Sequence, residues 1–221
     1  MTRLIFPVLL GLLGCGILIM LGTWQVQRLE WKTAILDDIA ARIGAAPVAI
    51  PEDPDPEADR YLPVEATGEV TGAGLRVLVS VDGLGPGHRR ILPFRTEDGR
   101  ALLLDAGWAP LEGAALPAGE IAVTGNLHWP QEVDGWTPDP DGDLWFARDV
   151  PAMADVLGAE PVLIIARQMS DAGGLRPQPV GIEGISNNHL NYAITWFSLA
   201  VVWAAMSVYL ALRTVRKEAS P

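Results

Sequence analysis

A single cysteine, Cys15, among 221 residues leaves no internal disulfide and no thiolate-based zinc or copper site within one chain. Positive charge is also scarce. Sixteen Lys and Arg face 27 Asp and Glu, and the net charge of −11 excludes nucleic acid as a partner, because phosphate contacts need clustered cations. The chain has no G-x-S-x-G elbow, no glycine-rich phosphate loop opening a helix and no H-E-x-x-H. The 3 histidines, His88, His128 and His189, lie far apart in sequence. His88 sits in a Gly-Pro turn, where a solvated ring is expected, and His128 at a strand end beside Trp129 is expected to be structural. Asp105 and Asp143 have no evident partner carboxylate. Catalytic chemistry therefore has little to stand on, and the chain is expected not to be an enzyme.

Charge is missing altogether from two runs, Leu4 to Gln27 and the stretch between Glu183 and Arg213. As helices, Leu4 to Gly22 would cover roughly 28 Å and Leu190 to Leu212 roughly 34 Å, against a hydrocarbon core of about 30 Å. Both are expected to span a bilayer. "LLGC" (12 to 15) resembles a lipoprotein cleavage box, but the apolar run continues through "GILIMLG" and outlasts a signal core, which favours a retained anchor. Arg213, Arg216 and Lys217 after the second run, with Arg3 before the first, place both termini in the cytoplasm, although Arg28 and Lys32 count the other way. All the acidic residues except Glu30, Asp37, Asp38 and Glu218 lie between Ala46 and Asn188. The expected plan is a cytoplasmic 1–3, a span over 4–22, a helical extension over 23–45 and an acidic proline-rich linker over 46–60. An extracytoplasmic β-rich domain over 61–188, a second span over 189–212 and a basic cytoplasmic tail over 213–221 follow. The lipid bilayer is thus one partner.

Between the spans the period of the pattern changes. Trp24 and Trp31 fall on one helical face and Gln25, Arg28 and Lys32 on another, as an interfacial aromatic belt with basic residues would. "PEDPDPEAD" stops that helix. Leu75, Val77, Val79 and Val81 then alternate with Arg76, Leu78 and Ser80. "RRILPF" and "ALLLDAGW" read as strands joined through Asp98-Gly99, and "IAVTGNLHW" and "PVLIIARQ" as two more. Asp149 can cap a short helix over Val150 to Leu157 that Gly158 ends. The fold expected is a membrane protein whose two helices flank a mainly antiparallel α+β domain, as a compact sheet or a partly closed barrel.

The stretch "SNNHLNYAITWF" (186 to 197) sets Asn187, Asn188 and His189 on the lip of the second run. At 100° per residue, His189, Tyr192, Trp196, Leu199 and Trp203 form one stripe. Asn191, Thr195, Ser198, Val202 and Ala205 form another, small enough to pack against Gly11, Gly14, Cys15 and Gly22 of the first run. That packing would leave the histidine stripe facing lipid, a cofactor or a partner. An imidazole above aromatics suits an axial ligand to a haem, which would be held non-covalently because C-x-x-C-H is absent. The alternative is an interfacial anchor and nothing more.

"LGTWQVQRLEWK" (21 to 32), "LLLDAGWAP" (102 to 110) and "NNHLNYAITWF" (187 to 197) resemble, in order and spacing, the signature blocks of the Surfeit locus protein 1 family of cytochrome c oxidase assembly factors. The first block covers Gly22, Trp24, Gln25, Arg28, Trp31 and Lys32. The second covers Gly107 and Trp108, and the third Asn187, Asn188, His189, Tyr192, Thr195 and Trp196. The resemblance implies a non-enzymatic factor in a bacterial inner membrane. Such a factor would act on the catalytic subunit of a haem-copper oxidase and assist delivery or retention of haem a, with a haem a synthase as a further partner. It also implies that His189 ligates haem iron. Trp24, Trp31, Tyr192 and Trp196 would line the site, and Arg28 and Lys32 would meet the propionates. Two departures stand out: Asp105-Ala106-Gly107-Trp108 replaces an "N-R-G-W" block, and Asn191 stands where glutamine is usual. A haem-free scaffold for an oxidase subunit is the second reading. A membrane-anchored periplasmic enzyme is the third, and it requires Asp105, His128 and Asp143 to share one pocket.

Overall fold

The computed structural model describes residues 2–182 and 185–218, so Met1, Glu183, Gly184 and the last three residues of the expected basic tail lie outside it. Its helices are α1 (Thr2–Gly44), α2 (Val150–Leu157) and α3 (His189–Glu218). Its strands are β1 (Val48–Ala49), β2 (Pro63–Val70), β3 (Leu75–Val81), β4 (Gly85–Thr96), β5 (Ala101–Pro110), β6 (Glu120–Leu127), β7 (Leu144–Trp145) and β8 (Leu163–Met169). They fall into two compact units, Met1–Asp38 with Glu183–Pro221, and Ile39–Ile182.

The first unit is a helix pair. The most apolar 18-residue windows of α1 and α3 have mean hydropathies of 2.5 and 1.7, and only 11% of each window is buried. A core helix of a soluble protein would hide such a surface. Both helices are thus long and apolar enough to cross a membrane, with Phe6, Leu12, Leu13, Met20, Ile194, Val201 and Met206 pointing outward. The helices meet along small residues. A Cβ on Gly14 would stand 2.2 Å from Trp203 Nε1, and one on Gly22 would stand 2.7 Å from the Phe197 ring, so only glycine allows this approach.

The small row of the first run therefore packs as its spacing predicts, but its partner on α3 differs from the expected one. Ala193 and Ala200 are the buried positions of α3, and Trp203 and Ser207 lie over Gly14 and Gly11. Thr195, Ser198, Val202 and Ala205 are exposed instead. The expected stripe divides as well: Trp203 faces α1, whereas Tyr192 and Leu199 do not bury. Thr195 Oγ1 donates back to the Asn191 carbonyl at 2.8 Å and is satisfied on its own helix, so it needs no partner across the pair.

The second unit is one eight-stranded sheet in the order β1-β2-β6-β8-β5-β4-β3-β7. It is mixed rather than antiparallel, because β1 with β2, β3 with β7 and β5 with β8 run parallel. Gly68, Glu69 and Val70 of β2 also touch Thr96, Arg95 and Phe94 of β4, a local return contact in a curled sheet that is not a closed barrel. The segment expected to be only a linker contributes β1, and β2 was not evident in the sequence pattern.

β5 is the spine of this sheet. Leu102, Leu104 and Ala106 belong to one apolar cluster, with Phe94, Ile121 and Ile164. Leu103 belongs to the opposite one, with Ile91, Leu163 and the α2 residues Val150, Met153 and Ala154. Burial on both faces is why the sequence there reads as an unbroken apolar run, and each such side chain contributes about 1.5–3 kcal/mol. Asp149 caps α2 by accepting from the Ala152 N–H at 3.2 Å, and Gly158 closes it at φ 63°, as the sequence predicts. The end of α1 is capped from the sheet: the Ile43 carbonyl accepts from Asn126 Nδ2 at 3.1 Å and from Arg167 at 2.6 Å. His88, expected in solvent, is 7% exposed on β4 opposite Ala109.

Gly107 adopts φ 102°, and a Cβ there would stand 2.1 Å from the Arg176 carbonyl oxygen. Gly107→Glu therefore combines backbone strain, a backbone clash and a misplaced charge, and is expected to destabilise the sheet unit by about 4 kcal/mol or more. Thermal melting and protease resistance of the detergent-purified variant measure this. An unchanged melt with function lost would make Gly107 part of a contact surface instead.

Candidate functional site

The polar lip is assembled where α3 begins. The Asn188 carbonyl accepts from Tyr192 N–H at 3.2 Å, and Asn188 Nδ2 donates to Ser186 Oγ at 2.9 Å, so this asparagine starts the helix. Asn187 Oδ1 is buried with no hydrogen-bond partner among the described residues. His189 Nδ1 lies 2.8 Å from Gln25 Oε1 of α1. Gln25 is 8% exposed, so its carboxamide has left water to make this contact.

With Gln25 Oε1 as the acceptor, the neutral form of the ring carries its proton on Nδ1 and leaves the lone pair on Nε2. That tautomer is the one through which an imidazole ligates a metal by Nε2, with Gln25 as the orienting group behind it. Lys32 Nζ donates to the Ser186 carbonyl. The Arg28 guanidinium lies 3.8 Å from the centroid of the Trp31 ring. Trp24, Trp31 and Tyr192 are each more than half exposed, and Trp196 is half-buried.

The helix pair thus brings together Gly22, Gln25, Lys32 and His189 of the expected site. Thr195 turns back onto its own helix, and Gly107 and Trp108 belong to the sheet unit. Trp108 is buried there, bridged to Arg176 through two backbone hydrogen bonds of 2.8 and 2.9 Å, with its Nε1 unpartnered among the described residues.

An ionic cluster inside the sheet unit was missed. Asp105 is 0% exposed and accepts from Arg89 Nε at 2.8 Å and Arg148 Nη1 at 3.1 Å, while its other oxygen accepts from the Gly107 N–H at 3.2 Å. Arg148 also binds Glu132 through its guanidinium and its backbone N–H. Burial opposes ionisation of Glu132, but the Arg148 contacts prevail and hold its carboxyl below the usual range. The signal was an aspartate inside "ALLLDAGW": in a strand buried on both faces, a carboxylate demands cations. His128 stacks on Tyr61 at 5.1 Å between centroids, with its Nδ1 buried and unpartnered among the described residues. Burial, then the charges of Arg148 and Arg60, push its pKa down to about 4. Asp143 pairs with Arg76 on β3, and the three residues required for an enzyme reading share no hydrogen bond with one another among the described residues. No cluster of three or more His, Cys, Asp or Glu suited to a metal ion occurs among the described residues.

A model of the SURF1 family matches residues 12–201, a stretch that includes both helix lips and the whole sheet unit. The chain is similar to Surfeit locus protein 1 of Xenopus tropicalis, at 28% identity over 90% of this chain and 73% of the relative. It is similar to Surfeit locus protein 1 of Homo sapiens at 29% identity, over 81% of this chain and 69% of the relative. SURF1-like protein of Drosophila melanogaster matches at 29% identity over the same shares, 81% and 69%.

The depressed pKa of His128 has a consequence for stability. Between its folded value of about 4 and its ordinary 6.5, the unfolded chain binds a proton that the folded chain does not. The stability this residue confers is complete above pH 6.5 and is lost as pH falls toward 4. His128→Gln should flatten that slope in thermal melts of the full-length protein, and His88→Gln, whose ring is shifted the same way by burial, should flatten it further. An unchanged slope in the double variant would show that neither ring is buried neutral.

Proposed function

The chain belongs to the SURF1 family, and from that membership we propose that it is a non-catalytic assembly factor for a haem-copper oxidase, binding haem a non-covalently at the His189 lip. The observation that carries this reading is the His189–Gln25 hydrogen bond, which leaves Nε2 as a free donor atom at the start of an apolar helix. Bound there, haem a would supply an iron centre that accepts an imidazole lone pair and two propionates that take cationic donors. His189 holds the ligating atom, and Gln25 holds its proton on Nδ1 and fixes the ring plane. Trp24, Trp31, Tyr192 and Trp196 offer aromatic surface for a macrocycle, and Arg28 and Lys32 offer the cations. The catalytic subunit of the oxidase and a haem a synthase are the partners this role requires.

A second reading, a haem-free scaffold that holds an oxidase subunit, draws support from Lys32 and Arg28. Both cations are already engaged within the chain, one by the Ser186 carbonyl and one by the Trp31 face. In either case the two apolar helices anchor the protein in a bacterial inner membrane, with the acidic sheet unit on the periplasmic side and both termini in the cytoplasm. Arg213 and Arg216 after the apolar stretch of α3 support that orientation.

For the purified protein from cells making haem a, His189→Ala should abolish the haem a absorption while both helices still insert. Gln25→Leu should weaken haem retention by roughly tenfold to a hundredfold, as loss of an orienting group does. Full haem content with an unshifted spectrum in His189→Ala would decide for the scaffold, once His128→Ala in the same background had given the same result. Orientation is tested separately: a phosphatase reporter fused after Pro221 should be inactive, and protease added to spheroplasts should reach the sheet unit.

A further inference from the structure

Residues 130–143, which join β6 to β7, carry Glu132, Asp134, Asp139, Asp141 and Asp143 and no Lys or Arg. At their centre Trp136 is 93% exposed, with Val133 beside it at 54%. A large ring so fully in water costs free energy that burial in the sheet unit would have recovered, yet the loop is built to keep it outside. Asp134 Oδ1 accepts from the Trp136 N–H at 2.9 Å and from Thr137 Oγ1 at 3.0 Å, and Asp134 N–H donates to Thr137 Oγ1 at 3.0 Å, closing a four-residue turn. Pro130, Pro138 and Pro140 stiffen the arms.

Both roots are tied by ion pairs. Glu132 holds Arg148, which reaches the buried Asp105, and Asp143 accepts two hydrogen bonds of 2.7 Å from Arg76. With those two acids engaged, Asp134, Asp139 and Asp141 have no cationic partner among the described residues. A pre-ordered tryptophan ringed by uncompensated carboxylates is the arrangement of a binding anchor, because little ordering entropy is left to lose on association.

We propose that the Trp136 loop is a docking surface for a protein segment rich in Lys or Arg around an apolar socket that receives the indole. Charge complementarity selects this occupant. A membrane surface is disfavoured, since interfacial anchoring segments carry Lys and Arg toward anionic headgroups and this loop carries only acids. A second copy of this chain is disfavoured by its own net charge of −11.

The test places a photoreactive phenylalanine analogue at position 136 of the full-length protein in its native membrane, with the same analogue at exposed Val156 of α2 as the control. The expected result is an adduct specific to position 136 whose partner peptide, read by mass spectrometry, carries several Lys or Arg. That adduct should fade with Asp139→Asn/Asp141→Asn and on raising salt from about 50 mM to about 500 mM. A synthetic peptide of that sequence should bind Trp136→Ala about tenfold more weakly or worse, with the melting temperature of the variant unchanged. Adducts only to lipid, adducts to this chain itself, no adduct, or an adduct indifferent to salt and to the two neutralised aspartates would each overturn the proposal.

Discussion

A carboxylate with no solvent sits at the centre of the sheet unit, and much of its surroundings exists to neutralise it. Asp105 occupies the strand buried on both faces, so an isolated charge there would be prohibitive. Arg89 on β4 and Arg148 just before α2 answer it from two directions, and Arg148 in turn recruits Glu132. An ion network of this kind adds little net stability compared with apolar residues of the same volume, while removing one member leaves a buried charge unpaired. What it supplies is placement: β4, β5, the root of the 130–143 segment and the approach to α2 are referred to a single side chain. The same chain of contacts puts positive charge near His128, which reinforces the neutral state that burial imposes on that ring.

The helix pair follows a different logic, because apolar side chains facing outward give two helices no reason to associate through the hydrophobic effect in a lipid setting. Close approach at Gly11, Gly14 and Gly22 supplies dispersion contacts, and the Gln25–His189 hydrogen bond supplies direction. A single interhelical hydrogen bond contributes about 0.6 kcal/mol in such an environment, so its effect is felt mainly in the ring tautomer. Such a pair contributes more to the orientation of the ring than to the strength of packing.

The sequence made α1, α3, the capped α2 and five strands legible, because each carries a periodic pattern closed by recognisable turn or cap residues. The parallel pairing of β5 with β8 was not legible, since a strand buried on both faces shows no alternation from which a neighbour can be inferred. β1 and β7 are two residues long and have no period at all. Of the site, the residues Gln25, Lys32 and His189 stood out by position, but the contact of Gln25 with His189 did not: assigning Gln25 to an aromatic belt hid its turn toward the histidine. The stripe on α3 was misassigned: small residues do face α1, but they are Ala193, Ala200 and Ser207 rather than Thr195 and Ser198. Asp105 was visible as an anomaly, and the arginines that answer it, 16 residues before and 43 after, were beyond any local pattern.

The outermost strands of the sheet, β1 and β7, are the shortest in it, and prolines follow or precede both: Pro51, Pro54 and Pro56 beyond β1, and Pro138 and Pro140 ahead of β7. Each of these two strands thus offers too few free peptide groups to template another strand, and the neighbouring prolines lack the N–H that would extend the ladder. Backbone pairing between copies is closed off at β1 and β7, and association through those two strands has to be built from side chains.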